Sequence, residues 1–300
     1  MRCQANRNIF MVFSQAKHGG SRMKGPGMFQ VRPRQSTLRS GLAIAELVYH
    51  SAVRDVRRSH SNALLGLLMN MLQTVIFIIT FYALFWIMGT RGSAIRGDYL
   101  LYIMSGIFLF MTHTKAVAAI SGAEGPASPM MQHAPMTTFI AISAAALSSL
   151  YLQVLSLLSV LFIYHVVFTP VVIDDPIGAM GMVLAAWISG VGVGVIFYAL
   201  KPWWPGFVQV GSNLYSRINM IASGKMFVAN TLPGYLLAWF DWNPLFHTID
   251  QARGYIFIHY NPHFSSPTYP LYVALGLIVI GLMGEFYTRK YASISWSAAR

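Results

Sequence analysis

The sequence predicts an all-α integral membrane protein. It has six transmembrane helices, an amphipathic helix lying on the membrane surface ahead of them, and a re-entrant helix pair between the fifth and sixth spans. Three observations lead there. Of the 300 residues 55% are hydrophobic and only 10% charged, against about 25% charged in a soluble domain. Apolar runs long enough to cross a bilayer, about 20 residues each, recur along the chain. Two further stretches carry apolar residues at helical spacing but are too polar or too short to span.

The first of these is residues 36–60. Leu38, Leu42, Ala45, Tyr49, Ala52 and Val56 recur at three- and four-residue steps, with Arg39, Glu46, His50, Arg54 and Arg57 mainly elsewhere. That pattern is an amphipathic surface helix. The region before it, 1–35, is rich in Gly, Arg and Gln without an apolar period and is expected to be a disordered basic arm; Met28 is an alternative start to Met1. "NIFMVF" at 8–13 is too short for the apolar core of a signal peptide, and no small-residue cleavage site follows it.

The predicted spans are about 63–88, 99–121, 138–168, 177–200, 207–229 and 270–287. The first has 26 residues, roughly 39 Å as a helix, enough to cross with some tilt. Trp86, Tyr99, Tyr102, Trp203, Trp204 and Tyr287 fall near predicted ends, as an aromatic belt requires.

Charge gives an orientation. Residues 1–62 hold eleven Lys/Arg against two acids, and the remainder ten against seven. Basic residues flank membrane spans on the cytoplasmic side. Arg54, Arg57, Arg58, Lys201, Arg289, Lys290 and Arg300 would lie inside, against Arg91, Arg96 and Arg253 outside. Both termini are therefore expected in the cytoplasm, with loops 122–137 and 201–206 inside and 230–269 outside. The basic arm fits anionic headgroups; no nucleic-acid reader motif or aromatic platform accompanies it. The single cysteine, Cys3, excludes an intrachain disulfide framework.

Some spans are unusually polar. In the fifth, Gln209, Ser212, Asn213, Ser216, Asn219 and Ser223 share a helical face, joined by Arg217 and Lys225. Unsatisfied polar groups are costly in hydrocarbon. This face either hydrogen-bonds other helices or lines a hydrophilic path. The second span carries His113 and Lys115, both functional candidates by position, although Lys115 can also snorkel outward. The apolar parts of the spans hold almost no acid, which argues against a proton-driven carrier. "GVGVG" at 190–194 follows no strand and reads as close helix packing. "ASGKM" at 222–226 lacks the full phosphate-loop pattern. His247, His259 and His263 share the external stretch with Asp241 and Asp250, but Pro262 breaks any helical ligand face and no metal is expected. No G-x-S-x-G or H-E-x-x-H is present, so nothing marks a hydrolase.

The second two-faced stretch is "WNPLFHTIDQARGYIF", 242–257. Asn243 is a good N-cap and Pro244 a good first residue. Leu245, Ile249, Ala252 and Ile256 make one face; His247, Asp250, Gln251 and Gly254 make the other. Asp250 can pair with His247 or Arg253 at three-residue spacing. "LPGYLLAWF" at 232–240 is apolar but too short to span. The two segments either dip in and out as a helix pair or lie flat on the headgroups as one connector.

This order resembles the permease subunits of type-2 ABC exporters, most of all the branch exporting capsular polysaccharide and O-antigen. Three stretches carry the likeness: "ALLGLLMNMLQTVIFIITFYALF" at 63–85 with its mid-span Gln, "YLLYIMSGIFLFM" at 99–111, and "NPLFHTIDQARGYIF" at 243–257. The resemblance covers 36–290 and implies a bacterial inner-membrane protein. It also implies a permease homodimer bound to two separate ATPase subunits, which carry ATP and Mg; this chain holds no cofactor and is not itself an enzyme. By the same resemblance the ATPase contacts are Arg54, Arg57, Glu124 and His133, although loop 122–137 lacks the basic residues such permeases often carry there. The translocation path is assigned to Gln209, Asn213, Ser216, Arg217 and Lys225. Residues 231–257 become an external gate, with Tyr235, Trp239 and Trp242 stacking on sugar rings beside His247, Asp250 and Arg253. The rival readings are an exporter of the same fold moving a lipid or drug, and an ATP-independent carrier or membrane enzyme.

Overall fold

A computed structural model of the chain describes residues 37–59, 63–89, 95–125 and 137–291, with backbone alone at 37–40, 58, 59 and 63. The expected basic arm 1–35, His133 and most of loop 122–137 lie outside these. The described residues from Gly41 onward belong to one compact unit. Among the described residues there are nine α-helices and no strand: α1 Thr37–Ser59, α2 Ala63–Ile87, α3 Tyr99–Ser121, α4 Thr138–Val167, α5 Pro176–Leu200, α6 Pro205–Ala222, α7 Gly234–Phe240, α8 Pro244–Ile256 and α9 Tyr269–Tyr291. Five of them, α2, α3, α4, α5 and α9, are long and apolar enough to cross a membrane.

The helices start where their caps allow. Asp98 accepts from the Leu100 and Leu101 amides ahead of α3, and Asp175 from Ile177 and Gly178 ahead of α5, with Pro176 in first position. Each cap satisfies amides that the first turn leaves unpaired.

Hydrogen bonds between helix ends define the two ends of the bundle. At the far end Tyr164, late in α4, donates to Asp98, and the Asp175 amide donates to the Tyr255 carbonyl at 2.8 Å. At the near end Lys201 donates to the Ser121 carbonyl at 3.0 Å. There too Trp203 donates to Thr288 at 2.9 Å, and Thr288 to the Ala199 carbonyl at 3.1 Å. Helices α3, α5 and α9 therefore run one way through the bundle and α4 the other.

Helices α3 and α5 form the centre; α3 is the most enclosed of the long apolar helices and α9 the least. The "GVGVG" run explains how closely they pack. A Cβ at Gly190 would lie 2.6 Å from the His113 carbonyl oxygen, and one at Gly194 2.9 Å from the Ile120 Cβ, both on α3. Gly192, on the opposite side, would meet Leu277 of α9 at 3.0 Å. Two-residue alternation on a helix thus presents small residues to both neighbours at once.

One element differs from expectation. The fifth predicted span, 207–229, ends at Ala222 as α6. Its 18 residues are about 27 Å of helix, and it is not among the five long apolar helices. The chain leaves the helix at Gly224, whose φ of +74° is the left-handed region that glycine adopts without penalty. It then passes through a 3-10 turn at Ala229–Thr231. In α1 the buried side chains are Val48 and Ser51, whereas Leu42 and Tyr49 of the predicted apolar face are exposed.

Gly190→Ala is expected to destabilise the protein by about 1–3 kcal/mol, because backbone cannot yield to the added methyl. Gly181→Ala, on the same helix with nothing within 4 Å of the new Cβ, is expected to be neutral or stabilising. Thermal unfolding in detergent compares them.

Candidate functional site

Three features stand out: the short helices α7 and α8 with α8 at the far end, a small cleft beside α6, and a larger groove between α2, α3 and α4.

Helix α8 begins at Asn243, whose side-chain oxygen accepts from the Leu245 amide at 3.0 Å. Its side-chain nitrogen donates to Asn219 Oδ1 at 2.8 Å and to the Ala222 carbonyl at 3.0 Å. The start of α8 is thereby tied to the end of α6. Every residue from Pro244 to Arg253 is buried. Leu245, Ile249 and Ala252 join the main apolar core with Ile103, Met182 and Ala186.

The polar face of α8 is also buried, and its groups hold the loops around it. His247 Nε2 donates to the Asp241 carbonyl at 2.7 Å, while Nδ1 accepts from the Ser266 amide at 3.0 Å. Gln251 donates to the Ser265 carbonyl at 2.8 Å. Asp250 accepts from Tyr260 and from Ser265 Oγ at 2.6 Å; these are its partners, in place of the expected three-residue pairing with His247 or Arg253. Burial, and then the adjacent Asp250 carboxylate, push the Tyr260 phenol up, so it remains a donor.

Arg253 is 1% exposed. Its Nη1 donates to the carbonyls of Gly224 at 3.0 Å and Phe227 at 2.7 Å, and Nη2 to that of Lys225 at 2.7 Å. The guanidinium lies over Tyr102 of α3, 4.2 Å from the ring centroid, in cation–π contact. It thus organises the loop where α6 stops. Lys225, 3% exposed, threads between α2 and α3. Its Nζ sits 3.5 Å from the centroid of Phe110, 4.6 Å from Phe81 and 5.5 Å from Phe77, with no hydrogen-bond partner among the described residues. Gly106 makes the approach possible: a Cβ there would lie 2.8 Å from that of Lys225.

The aromatic gate residues are placed differently. Tyr235, Trp239 and Trp242 are 71%, 73% and 62% exposed. Trp242 Nε1 donates to the Trp239 carbonyl at 2.7 Å, leaving the ring faces open. The six gate residues therefore divide into an exposed aromatic surface around α7 and a buried polar set on α8.

The path residues divide as well. Gln209, Asn213 and Ser216 come together with Ser212 on one wall of a cleft of about 220 Å³, facing Val117 and Ser121 of α3 and Lys201. Arg217 is exposed and does not line this cleft; Lys225 is in its aromatic cage. His113 is fully buried and joins three helices. Its Nδ1 lies 3.1 Å from the Ala186 carbonyl, which can only accept, so Nε2 accepts from Tyr215 of α6 at 2.8 Å.

The groove, about 1020 Å³, was the least legible feature. Its lining includes Asn70, Gln73, Lys115, Ser148, Ser149 and Gln153, with Arg54, Asp55 and Glu124 at the near-end mouth. Two of the expected ATPase contacts, Arg54 and Glu124, thus share one opening, and Arg57 is exposed on α1. Asn70 and Gln153 were not singled out from the sequence because each sits in a helix of apolar overall character. The available signal was Asn70 and Gln73 at three-residue spacing, which places them on one face.

Among the described residues, no group of three His, Cys, Asp or Glu side chains comes together that could hold a metal ion.

Arg253→Met is expected to lower stability by about 3 kcal/mol or more, because each buried carbonyl left unpaired forfeits roughly 1–3 kcal/mol. Arg253→Lys is expected to rescue little, since a compact ammonium cannot reproduce the planar fork. Thermal unfolding and size-exclusion profiles in detergent check both.

A scan against models of known protein families finds no match for this chain, and a search of curated proteins finds none either.

Proposed function

We propose that this chain is the membrane-spanning permease subunit of an ATP-driven exporter of the type-2 ABC class, moving a surface polysaccharide out across the bacterial inner membrane. The observation that carries the reading is the pair of short helices α7 and α8 just before the last long helix. An exposed aromatic helix is followed by a buried one whose polar side chains hold the surrounding loops, in the place where such exporters have an external gate. Exposed aromatic rings offer flat apolar faces for sugar rings, and α8 supplies the rigid support that keeps them in position.

In this reading α6 is the fifth of six spans despite its polarity, because its polar face meets a cleft and not lipid. Gln209, Asn213 and Ser216 line the path, and α1 lies at the cytoplasmic interface with Leu42 and Tyr49 toward lipid. Both termini are cytoplasmic. The chain works as a homodimer and binds a separate ATPase through Arg54, Arg57, Glu124 and His133. ATP and Mg belong to that partner, consistent with the incomplete phosphate-loop pattern at 222–226. Nucleic acid plays no part.

Affinity purification of the tagged chain from native membranes is expected to recover a soluble subunit with nucleotide-binding motifs; its absence would refute the ATP-driven reading. Deleting the gene is expected to abolish surface glycan, and unchanged glycan would refute the substrate. Tyr235→Ala with Trp239→Ala is expected to leave the melting temperature within about 2 °C, because these are surface positions, and to reduce export several-fold. Unaltered export by the double variant would remove α7 from the gate.

A further inference from the structure

The groove between α2, α3 and α4 is hollow because of what lines it. Gly66, Ala118, Ala119, Gly122, Ala141 and Ala145 occupy positions where larger side chains would fill the space. Toward the middle of the helices the lining turns polar. Lys115 lies six residues before the end of α3 and Gln73 ten after the start of α2, about 9 Å and 15 Å of helix from the near end. Gln73 Oε1 accepts from Lys115 Nζ at 2.5 Å and is its one hydrogen-bond partner among the described residues. Two of the three ammonium donors are therefore left for something else. Asn70 is engaged weakly, with Leu152 and Gln153 at 3.4 Å.

Such a floor within a membrane-spanning bundle is costly unless something solvates it. The geometry also specifies a second character. Leu72 and Ile76 belong to the lining, yet are 50% and 53% exposed, so the rim of the groove is continuous with the apolar outer surface of α2. A ligand filling the groove meets a cation and amides on its inner side and hydrocarbon on its outer side. That describes one end of an anionic amphiphile. The mouth carries both signs, Arg54 against Asp55 and Glu124, so the selecting charge is the one at the floor.

We propose that this groove binds an anionic phospholipid from the adjacent leaflet. Its phosphate is held by Lys115 with Gln73 and Asn70, and its acyl chains leave past Leu72 and Ile76 into the bilayer. The phosphate is thereby held about 9 Å of helix in from the near end of α3. This is a property of the single chain and requires neither an ATPase nor a glycan, so the test contains neither.

The full chain, purified in neutral detergent, is titrated with phosphatidylglycerol, phosphatidylcholine or glycerol 3-phosphate while its melting temperature is followed. Phosphatidylglycerol is expected to raise the melting temperature saturably, and the other two to do so much less. Lys115→Met, which keeps the length and removes the charge, is expected to weaken the apparent affinity about tenfold or more, as loss of a charged hydrogen bond does; Lys115→Arg is expected to retain it. Ala119→Phe fills the groove without touching charge and is expected to abolish the shift even if Lys115→Met proves too unstable to measure. Equal stabilisation by phosphatidylcholine, an equal shift with glycerol 3-phosphate, or undiminished binding by Lys115→Met or Ala119→Phe would overturn the proposal.

Discussion

A guanidinium placed inside a helical bundle must have acceptors for its donors, because an unpaired buried charge costs several kcal/mol. Arg253 finds three, all backbone carbonyls, at Gly224, Lys225 and Phe227. Much else at the far end follows. The chain after α6 has to leave helical geometry to present those carbonyls, so α6 stops at Ala222 and Gly224 takes a positive φ. That turn directs Lys225 between α2 and α3, against three phenylalanines. The same turn brings Asn219 and the Ala222 carbonyl within reach of Asn243, which caps α8. The arginine that α8 projects toward the α6 end and the asparagine that starts α8 thus close one loop of dependence. Neither would be satisfied without the other's element in place.

The bundle uses glycine and alanine for two opposite purposes. On α5, Gly190, Gly192 and Gly194 let α3 and α9 approach until backbone nearly touches backbone. In a bilayer, where burial of apolar surface drives little association between helices, such contact is what holds them together. Along the groove, by contrast, Gly66, Ala118, Gly122 and Ala145 line a hollow among the described residues. The difference is what lies opposite. Where α3 meets α5 a helix closes in; where α3 and α4 diverge from the first half of α2, small residues leave a hollow whose floor carries Lys115 and amides.

Most long helices were legible because their signals are local. The apolar runs at 63–88, 99–121, 138–168 and 177–200 match α2 to α5 within a residue or so, and Asn243 and Pro244 mark the start of α8 as expected. The end of α6 was not legible. Val208 to Ala229 contains nothing that forbids helix, and the break answers to an arginine 29 residues away from Gly224. The polar face of α8 was read correctly as a face and incompletely as an environment. Periodicity says which residues lie together; it is silent on whether water, lipid or another loop lies against them. His247, Asp250 and Gln251 turn out to contact residues 241 and 260–266. The groove was hidden for a related reason: its polar residues come from three helices far apart in the chain, and no single window of sequence contains the cluster.

By itself, then, the sequence determined the membrane-protein class, the helix order, the start of α8 and which side chains share a helical face, because each depends on hydropathy and spacing within one segment. Only the tertiary structure decided which polar residues are spent on the fold and which remain available. Arg253, His247 and Asp250 are committed to loops; Tyr235, Trp239 and Lys115 keep surfaces or donors free. That distinction rests on acceptors supplied from distant parts of the chain. Hydrogen bonding in a bundle is settled by the partners that packing brings within about 3 Å, and spacing along the chain does not encode that distance.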